Sequence, residues 1–185
     1  MVKLLLLALL LAPLSSKAAA TETPWSVTAL AGQFDDSRFL DILAADGGET
    51  GPSYMGAAIL GRHLGHGWDG VVWEGEAQLV RHWGKQSHWE KNAALVVYWT
   101  RFPWNHWLDT RISFAQGLSR ATRRPPLEEN TRRLLHYMHA DISFSPPGNP
   151  RWSLVTRLHH RSGVFGLYGT EGGSNFLTAG LRYRF

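Results

Sequence analysis

The sequence predicts an all-β protein, an eight-stranded antiparallel transmembrane β-barrel, and three observations carry this prediction. Eight stretches of about ten residues alternate apolar and polar side chains, which is the length and rhythm of outer-membrane strands. After the N-terminal segment, no stretch reaches the ~18 apolar residues of a membrane-spanning helix. The 19 glycines and the 12% aromatic content are typical of β-rich chains with many turns.

The first residues of the chain have the composition of an export signal. Lys3 precedes an apolar run over residues 4–14, and Ala18, Ala19 and Ala20 supply the small residues that signal peptidase requires. We therefore expect a signal peptide over residues 1–20, cleaved after Ala20, and a single barrel domain over residues 21–185.

Composition excludes several classes of protein. The chain contains no cysteine, which rules out a disulfide scaffold, a cysteine nucleophile and a thiolate metal site. Its formal net charge of +4 is too small to indicate a nucleic-acid partner.

The last predicted strand shows the alternation most clearly. Leu177, Leu181 and Phe185 share one side, whereas Arg182 and Arg184 lie on the other. Across the predicted strands, the polar side carries both signs of charge, at Arg62, Glu74, Glu76, Asp109, Arg111, Asp141, Arg157, Arg182 and Arg184. Inside a small barrel such charges can pair. A soluble lipid-binding barrel needs an apolar interior, and the arginines argue against that alternative.

The connections between predicted strands alternate in length, as an outer-membrane barrel requires. Short periplasmic turns are expected near residues 65–70, 103–107 and 146–151, and mostly longer outer connections near 35–53, 83–90, 120–133 and 163–174. Indoles favour both membrane interfaces, and tryptophans fall at the predicted rims, at Trp83, Trp89, Trp104, Trp107 and Trp152. Residues 37–45 are expected to form a short amphipathic helix at the interface.

The seventh predicted strand, residues 151–162, carries the candidate chemistry. Its even positions are the more apolar, which places His160 and Ser162 on the lipid side at the outer end and directs His159 inward as a hydrogen-bonding residue. Residues two apart on a strand lie roughly 6.6 Å apart on one face. A histidine there can act as general base for a serine nucleophile attacking an acyl ester. The alternative is that both residues merely occupy the interfacial zone.

The segment Leu-His-His-Arg-Ser-Gly at residues 158–163 resembles the His-x-Ser motif of the lipid A 3-O-deacylase (PagL) family, also known as acyloxyacyl hydrolases. The resemblance is strongest over residues 151–185, and the topology extends it over the barrel. It implies a small outer-membrane barrel with a Ser-His-Glu triad that hydrolyses the 3-O-linked acyl ester of lipid A. It also implies His160 as base and Ser162 as nucleophile.

The sequence departs from the family pattern at two positions. The family carries Asn directly after the serine, where this chain has Gly163, so a backbone N–H of Gly163 or Val164 is the expected oxyanion donor. The family glutamate position falls on Ser174, and the nearest acid, Glu171, is the candidate orienting residue or a solvated loop carboxylate. These departures keep open the alternative of a non-catalytic structural or adhesive outer-membrane barrel.

Lipopolysaccharide, through lipid A in the outer leaflet, is the expected partner of a membrane-embedded monomer or homodimer in the bacterial outer membrane. Guanidinium groups bind phosphates well, and the candidate phosphate-binding residues are Arg120, Arg123, Arg124 and Arg161. The alternative for the arginines of the 120–133 connection is that they are solvated loop residues. No cofactor and no nucleic acid are expected. No cluster of the 9 histidines has convincing metal-ligand spacing, so no metal site is expected either, with Ca²⁺ at a loop as the alternative.

Overall fold

The computed structural model describes residues 24–185, and its eight strands close into an antiparallel barrel. This confirms the predicted fold class, whereas the expected signal peptide over residues 1–20 lies outside the described residues. In chain order the elements are β1 (Trp25–Asp35), α1 (Phe39–Leu43), β2 (Thr50–His66), β3 (Val71–Gly84), β4 (His88–Trp99), β5 (Asp109–Ala121), β6 (Leu134–Ser145), β7 (Trp152–Ser162) and β8 (Gly173–Arg184).

Each strand pairs with the next, and β1 closes the barrel against β8. Ser26, for example, lies opposite Gly61 of β2 on one side and Arg184 of β8 on the other. Closure leaves no unpaired strand edge, so the backbone polar groups of the strands are satisfied within the sheet. Within residues 24–185, no helix has the length and apolar character needed to cross a membrane.

The barrel exterior is apolar. Exposed large hydrophobic side chains lie on most strands, at Val27, Leu60, Leu79, Leu95, Ile112, Phe114, Leu118, Leu154, Leu177 and Leu181. The five tryptophans expected at the rims, Trp83, Trp89, Trp104, Trp107 and Trp152, are also exposed. An apolar exterior of this kind is suited to contact with lipid.

The interior carries a network of paired charges. The Arg157 guanidinium binds Glu76 through two nitrogens at 2.9 Å each and Asp141 at 2.7 Å, and Arg182 lies 3.3 Å from Asp141. All four side chains are at most 4% exposed. The expectation that opposite charges pair inside the barrel is therefore confirmed for this group.

Arg62 was expected on the inward polar side, and this expectation is wrong. Its side chain is exposed, and its guanidinium lies 5.2 Å from the centre of the Trp25 ring on the outer surface. The inward positions on this strand are instead Ile59 and Gly61. A Cβ at residue 61 would lie 2.2 Å from a carboxylate oxygen of Glu74, so Glu74 fills the space there. Part of the inward side of β2 is thus apolar or small.

The two ends of the barrel differ in their connections. We call the end with connections 36–49, 85–87, 122–133 and 163–172 the loop end, and the end with connections 67–70, 100–108 and 146–151 the turn end. As expected, the loop-end connections are longer than those at the turn end, except that 85–87 is shorter than each turn-end connection. The helix expected over residues 37–45 is present as α1, with Phe39 8% exposed while Leu40 and Leu43 are 73% and 52% exposed.

Candidate active site

β7 positions the two candidate catalytic residues. Its odd-numbered side chains are buried in the barrel, and those of Trp152, Leu154 and Thr156 are exposed on the outside. The predicted alternation of this strand is therefore confirmed except at Leu158, an even-numbered position whose side chain is 3% exposed. His159 lies inside the barrel at 3.1 Å from Glu90. His160 and Ser162 lie on the outer face at the loop end, each half-buried.

Asn175 of β8 fixes the proton arrangement of His160. The two residues are directly paired across the strands, and Asn175 Oδ1 lies 2.6 Å from His160 Nδ1. Asn175 Nδ2 donates to the Ser37 carbonyl oxygen at 2.6 Å. Because that carbonyl can only accept, the amide oxygen must face the histidine, and because this oxygen can also only accept, Nδ1 carries the proton. His160 Nε2 is left with the lone pair.

This tautomer is the one that a general base requires. Ser162 lies two residues along the same strand face, and imidazole Nε2 can take its hydroxyl proton. Within residues 24–185 no hydrogen bond joins Ser162 to His160, and such contacts often form only when substrate binds. A histidine oriented by an amide is the arrangement of the Cys-His-Asn acyl-transfer enzymes. The geometry is thus suited to nucleophilic attack on an acyl group.

The connection over residues 36–49 completes the surroundings of His160. Besides the Ser37 carbonyl, it supplies Phe39 of α1, whose ring centre lies 5.1 Å from that of His160. Phe39 is buried whereas Leu40 and Leu43 project outward. α1 therefore covers one side of the imidazole and presents an apolar edge next to it.

His136 is a neighbour of Ser162 that the sequence analysis missed. The two residues are directly opposite across β6 and β7, so their Cβ atoms are about 4.5–5.5 Å apart. His136 is half-buried, and its Nδ1 is buried without a hydrogen-bond partner in the described chain. The signal that could have found it is the register across the turn at residues 146–151.

Glu171, the sequence-based candidate for orienting His160, is exposed in the 163–172 connection. The structure does not bring it to His160, whose Nδ1 is occupied by Asn175. Ser174, at the family's glutamate position, is buried and donates to Glu128 at 2.8 Å. The strand register places residue 175, one position further, opposite the histidine.

The two candidate oxyanion donors differ in availability. The Gly163 N–H donates to the Gly172 carbonyl at 3.0 Å and is therefore engaged, whereas no hydrogen bond among residues 24–185 uses the Val164 N–H. Val164 has a left-handed backbone, with φ of 47°. A Cβ at residue 163 would lie 1.8 Å from the Thr170 carbonyl oxygen, which explains glycine where the family has Asn.

The four candidate phosphate-binding arginines are divided by the barrel wall. Arg120, Arg123 and Arg124 are exposed at the loop end. Arg161 is 1% exposed, and its Nε lies 3.1 Å from Glu128 inside the barrel. Its assignment as a lipid-phosphate ligand is not supported by this position, because an odd-numbered residue of β7 faces inward.

Lys91 adds a basic side chain that the sequence analysis did not select. It lies on the outer face of β4 directly opposite Arg120 of β5, and both side chains are exposed. Like charges in this arrangement destabilise the strand pair unless an anion lies between them. The pair therefore makes this part of the outer surface locally positive.

The stability of the 122–133 connection is expected to decrease as pH rises. Burial raises the pKa of Glu128 above its ordinary value of 4.5, and the smaller opposing effect comes from Arg161. Because packing of the connection favours protonated Glu128, this residue stabilises the connection fully at pH values below its ordinary pKa. The stabilisation is lost as the pH rises through the raised pKa of the packed state.

Hydrogen exchange of residues 122–133 from about pH 4 to about pH 8, corrected for intrinsic rates, measures this change. Glu128→Gln removes the titrating group and should abolish the dependence. A wild-type connection whose protection is constant with pH would contradict the expectation.

The closed barrel, with its apolar exterior and charged interior, is of the outer-membrane type. It is similar to the crystal structure of the outer membrane enzyme PagL, with a TM-score of 0.64 and 12% identity over 86% of this chain and 99% of that one. It is also similar to Neisserial surface protein A, with a TM-score of 0.51 and 12% identity over 87% of this chain and 97% of that one. Comparison of the sequence with protein-family models and with curated proteins gives no match. At this identity the two structures establish the shared fold.

Proposed function

We propose that the protein is a serine esterase of the bacterial outer membrane that hydrolyses the 3-O-linked acyl ester of lipid A. The observation that carries the proposal is the His160 imidazole. Its Nδ1 proton is held by Asn175, and it lies beside Ser162 on the lipid side of the barrel at the loop end. An ester in the outer leaflet is the substrate that such a position reaches. The shared fold with the enzyme PagL supports the proposal.

In this mechanism His160 Nε2 takes the Ser162 hydroxyl proton as the serine oxygen attacks the ester carbonyl carbon. The Val164 N–H donates to the resulting oxyanion. The imidazolium then protonates the sugar oxygen, which leaves, and an acyl-serine remains. Water, activated by the same nitrogen, hydrolyses it and releases the fatty acid. Asn175 Oδ1 accepts from Nδ1–H throughout and stabilises the imidazolium as a dipole.

Lipopolysaccharide is the proposed partner, recognised through its phosphates as well as its ester. Lys91 and Arg120 form an outward-facing cationic pair on β4 and β5, and Arg123 and Arg124 extend the charge into the adjoining connection. Guanidinium groups bind phosphate through two parallel hydrogen bonds. The basic residues would thus hold the headgroup at the loop end of the barrel.

Mass spectrometry of lipid A from bacteria that express the wild type or Ser162→Ala tests the proposed reaction. We expect loss of one hydroxyacyl chain with the wild type and unchanged lipid A with the variant, because Ser162 supplies the nucleophile. Both proteins are first shown to be folded in the outer membrane, and the assay is repeated in detergent to release any latent activity. Deacylation by the variant would contradict the assignment.

Asn175→Ala is expected to lower the rate of ester hydrolysis by about 10²–10⁴-fold, because the imidazole loses its tautomer control. Asn175→Asp should retain most of the activity, since a carboxylate also accepts from Nδ1–H. Glu171→Gln is the matched control and should change the rate less than about twofold, within the range of a solvated loop residue. Steady-state kinetics in detergent measures all three, and a large effect of Glu171→Gln alone would return the orienting role to that residue.

The second candidate is a non-catalytic structural or adhesive barrel. Two observations favour it: an amide contacts His160 where the family has a carboxylate, and the Gly163 N–H is engaged by Gly172. Lipid A that stays unchanged with the wild type, in both membranes and detergent, would support this function and exclude the esterase.

A further inference from the structure

A second group of histidines lies inside the barrel, on the opposite side of the wall from His160. His82 of β3 and His88 of β4 are directly paired across the hairpin, and Glu90 follows two residues later on the same face. Their side chains are 1%, 2% and 0% exposed. One nitrogen or oxygen from each lies within 4.8 Å of the others. The three groups therefore converge on one point near the loop end.

His88 has no hydrogen-bond partner at either ring nitrogen among the described residues, and both nitrogens are buried. The Gln86 Oε1 atom in the adjoining turn is buried and unpartnered as well. Buried polar groups without partners are rare and costly in folded proteins. Stacking of the His88 ring on His82, with centres 4.3 Å apart and planes inclined by 11°, satisfies neither nitrogen of His88. The unpartnered nitrogens of His88 indicate a ligand at this position.

We propose that His82, His88 and Glu90 bind a divalent transition-metal ion, with Zn²⁺ the best fit. Two imidazoles and a carboxylate are a ligand set that zinc adopts, and they leave a fourth position for water. His82 Nε2 and Glu90 Oε2 are already 2.9 Å apart. The ligand atom of His88 lies within 4.8 Å of those of His82 and Glu90, and the terminal torsion of a histidine ring is soft, so the ring can turn toward them.

The proton positions around His82 are compatible with this ion. In the structure Gln86 Nε2 lies 3.3 Å from His82 Nδ1, so Nδ1 accepts and Nε2 donates to Glu90. On metal binding the proton moves from Nε2 to Nδ1, and the Gln86 amide turns so that its unpartnered Oε1 accepts it. A histidine ligand held through its second nitrogen by a carbonyl oxygen is the usual arrangement in metal sites.

Glu90 is held in place by groups that leave one of its oxygens for the ion. Ser119 and His159 contact Oε1 at 2.9 Å and 3.1 Å. Arg161 Nη1 lies 3.9 Å from Oε2, and Arg161 Nε lies 3.1 Å from Glu128. The carboxylate charge is therefore available to the metal. The site would link β3 and β4 inside the barrel, and it is separate from the proposed esterase site.

Zinc titration of the chelator-treated wild type in detergent, followed by calorimetry, tests the site, and the visible absorption of bound Co²⁺ reports its coordination. We expect one ion per chain, a higher unfolding temperature with zinc, and at least about tenfold weaker binding by His88→Ala and Glu90→Gln. His106→Ala is the matched control, since His106 is exposed at the turn end and should not change the affinity.

Folding of each variant is checked by its heat-dependent gel mobility before titration. A folded wild type that binds no zinc overturns the proposal even if no variant folds. Equal affinity of the wild type and His88→Ala overturns it as well, as does loss of binding in His106→Ala alone. The outcomes are independent of the esterase assay, because none of these residues touches the proposed ester site.

Discussion

His160→Ala is expected to lower kcat/KM for ester hydrolysis by roughly 10⁴-fold, the range seen when a residue of a catalytic unit is removed. Without the imidazole, Ser162 loses the base whose lone pair is fixed by Asn175. The release of hydroxy fatty acid from purified lipopolysaccharide in detergent measures the rate. The Ser162→Ala and His160→Ala double variant should be no slower than either single variant, since the two residues act as a unit.

His136→Ala is the control that makes this result specific. His136 lies directly opposite Ser162 on β6, so proximity alone does not separate the two histidines. His160 alone has its tautomer set by a strand neighbour, which is why we expect His136→Ala to lower the rate less than about tenfold. The reverse ranking of the two variants would transfer the general-base role to His136 and contradict the assignment.

Arg157→Ala is expected to lower the free energy of unfolding by about 3–5 kcal/mol, because it leaves buried carboxylates without their counter-charge. Glu76 and Asp141 both bind this guanidinium and are at most 4% exposed. Urea unfolding of the barrel in lipid vesicles, followed by tryptophan fluorescence, measures the loss.

Arg62→Ala is the matched control for this stability experiment, because it removes an arginine that is exposed on the outer surface. We expect a change within about 1 kcal/mol, which covers loss of its contact with Trp25. Equal losses in the two variants would show that the buried network contributes no more than a surface cation. Arg157→Ala combined with Glu76→Gln and Asp141→Asn should recover part of the stability, since the unpaired charges are gone.

The alternation of apolar and polar residues alone predicted most of the fold. The prediction of inward and outward sides failed where the barrel interior is apolar. Within residues 91–101 hydropathy does not distinguish the inward from the outward side, because Val96 and Tyr98 face inward and are as apolar as lipid-facing residues. Gly61 likewise faces inward but has no side chain to mark the inward side, and Arg62 was therefore predicted on the wrong side of the strand. On strands that carry inward-facing charged residues, such as Asp141 and Arg157, the inward side was predicted correctly.

The sequence by itself determined the strand count, the alternation of short and long connections, and the faces of His160 and Ser162. These properties follow from the period of two along a strand, which is local. The tertiary structure decided which residues meet across strands: Asn175 with His160, His136 with Ser162, and His82 with His88. Cross-strand register depends on turn geometry and barrel closure, and a shift of one residue moves every side chain to the other face. For that reason the neighbour of His160 became evident only in the closed barrel.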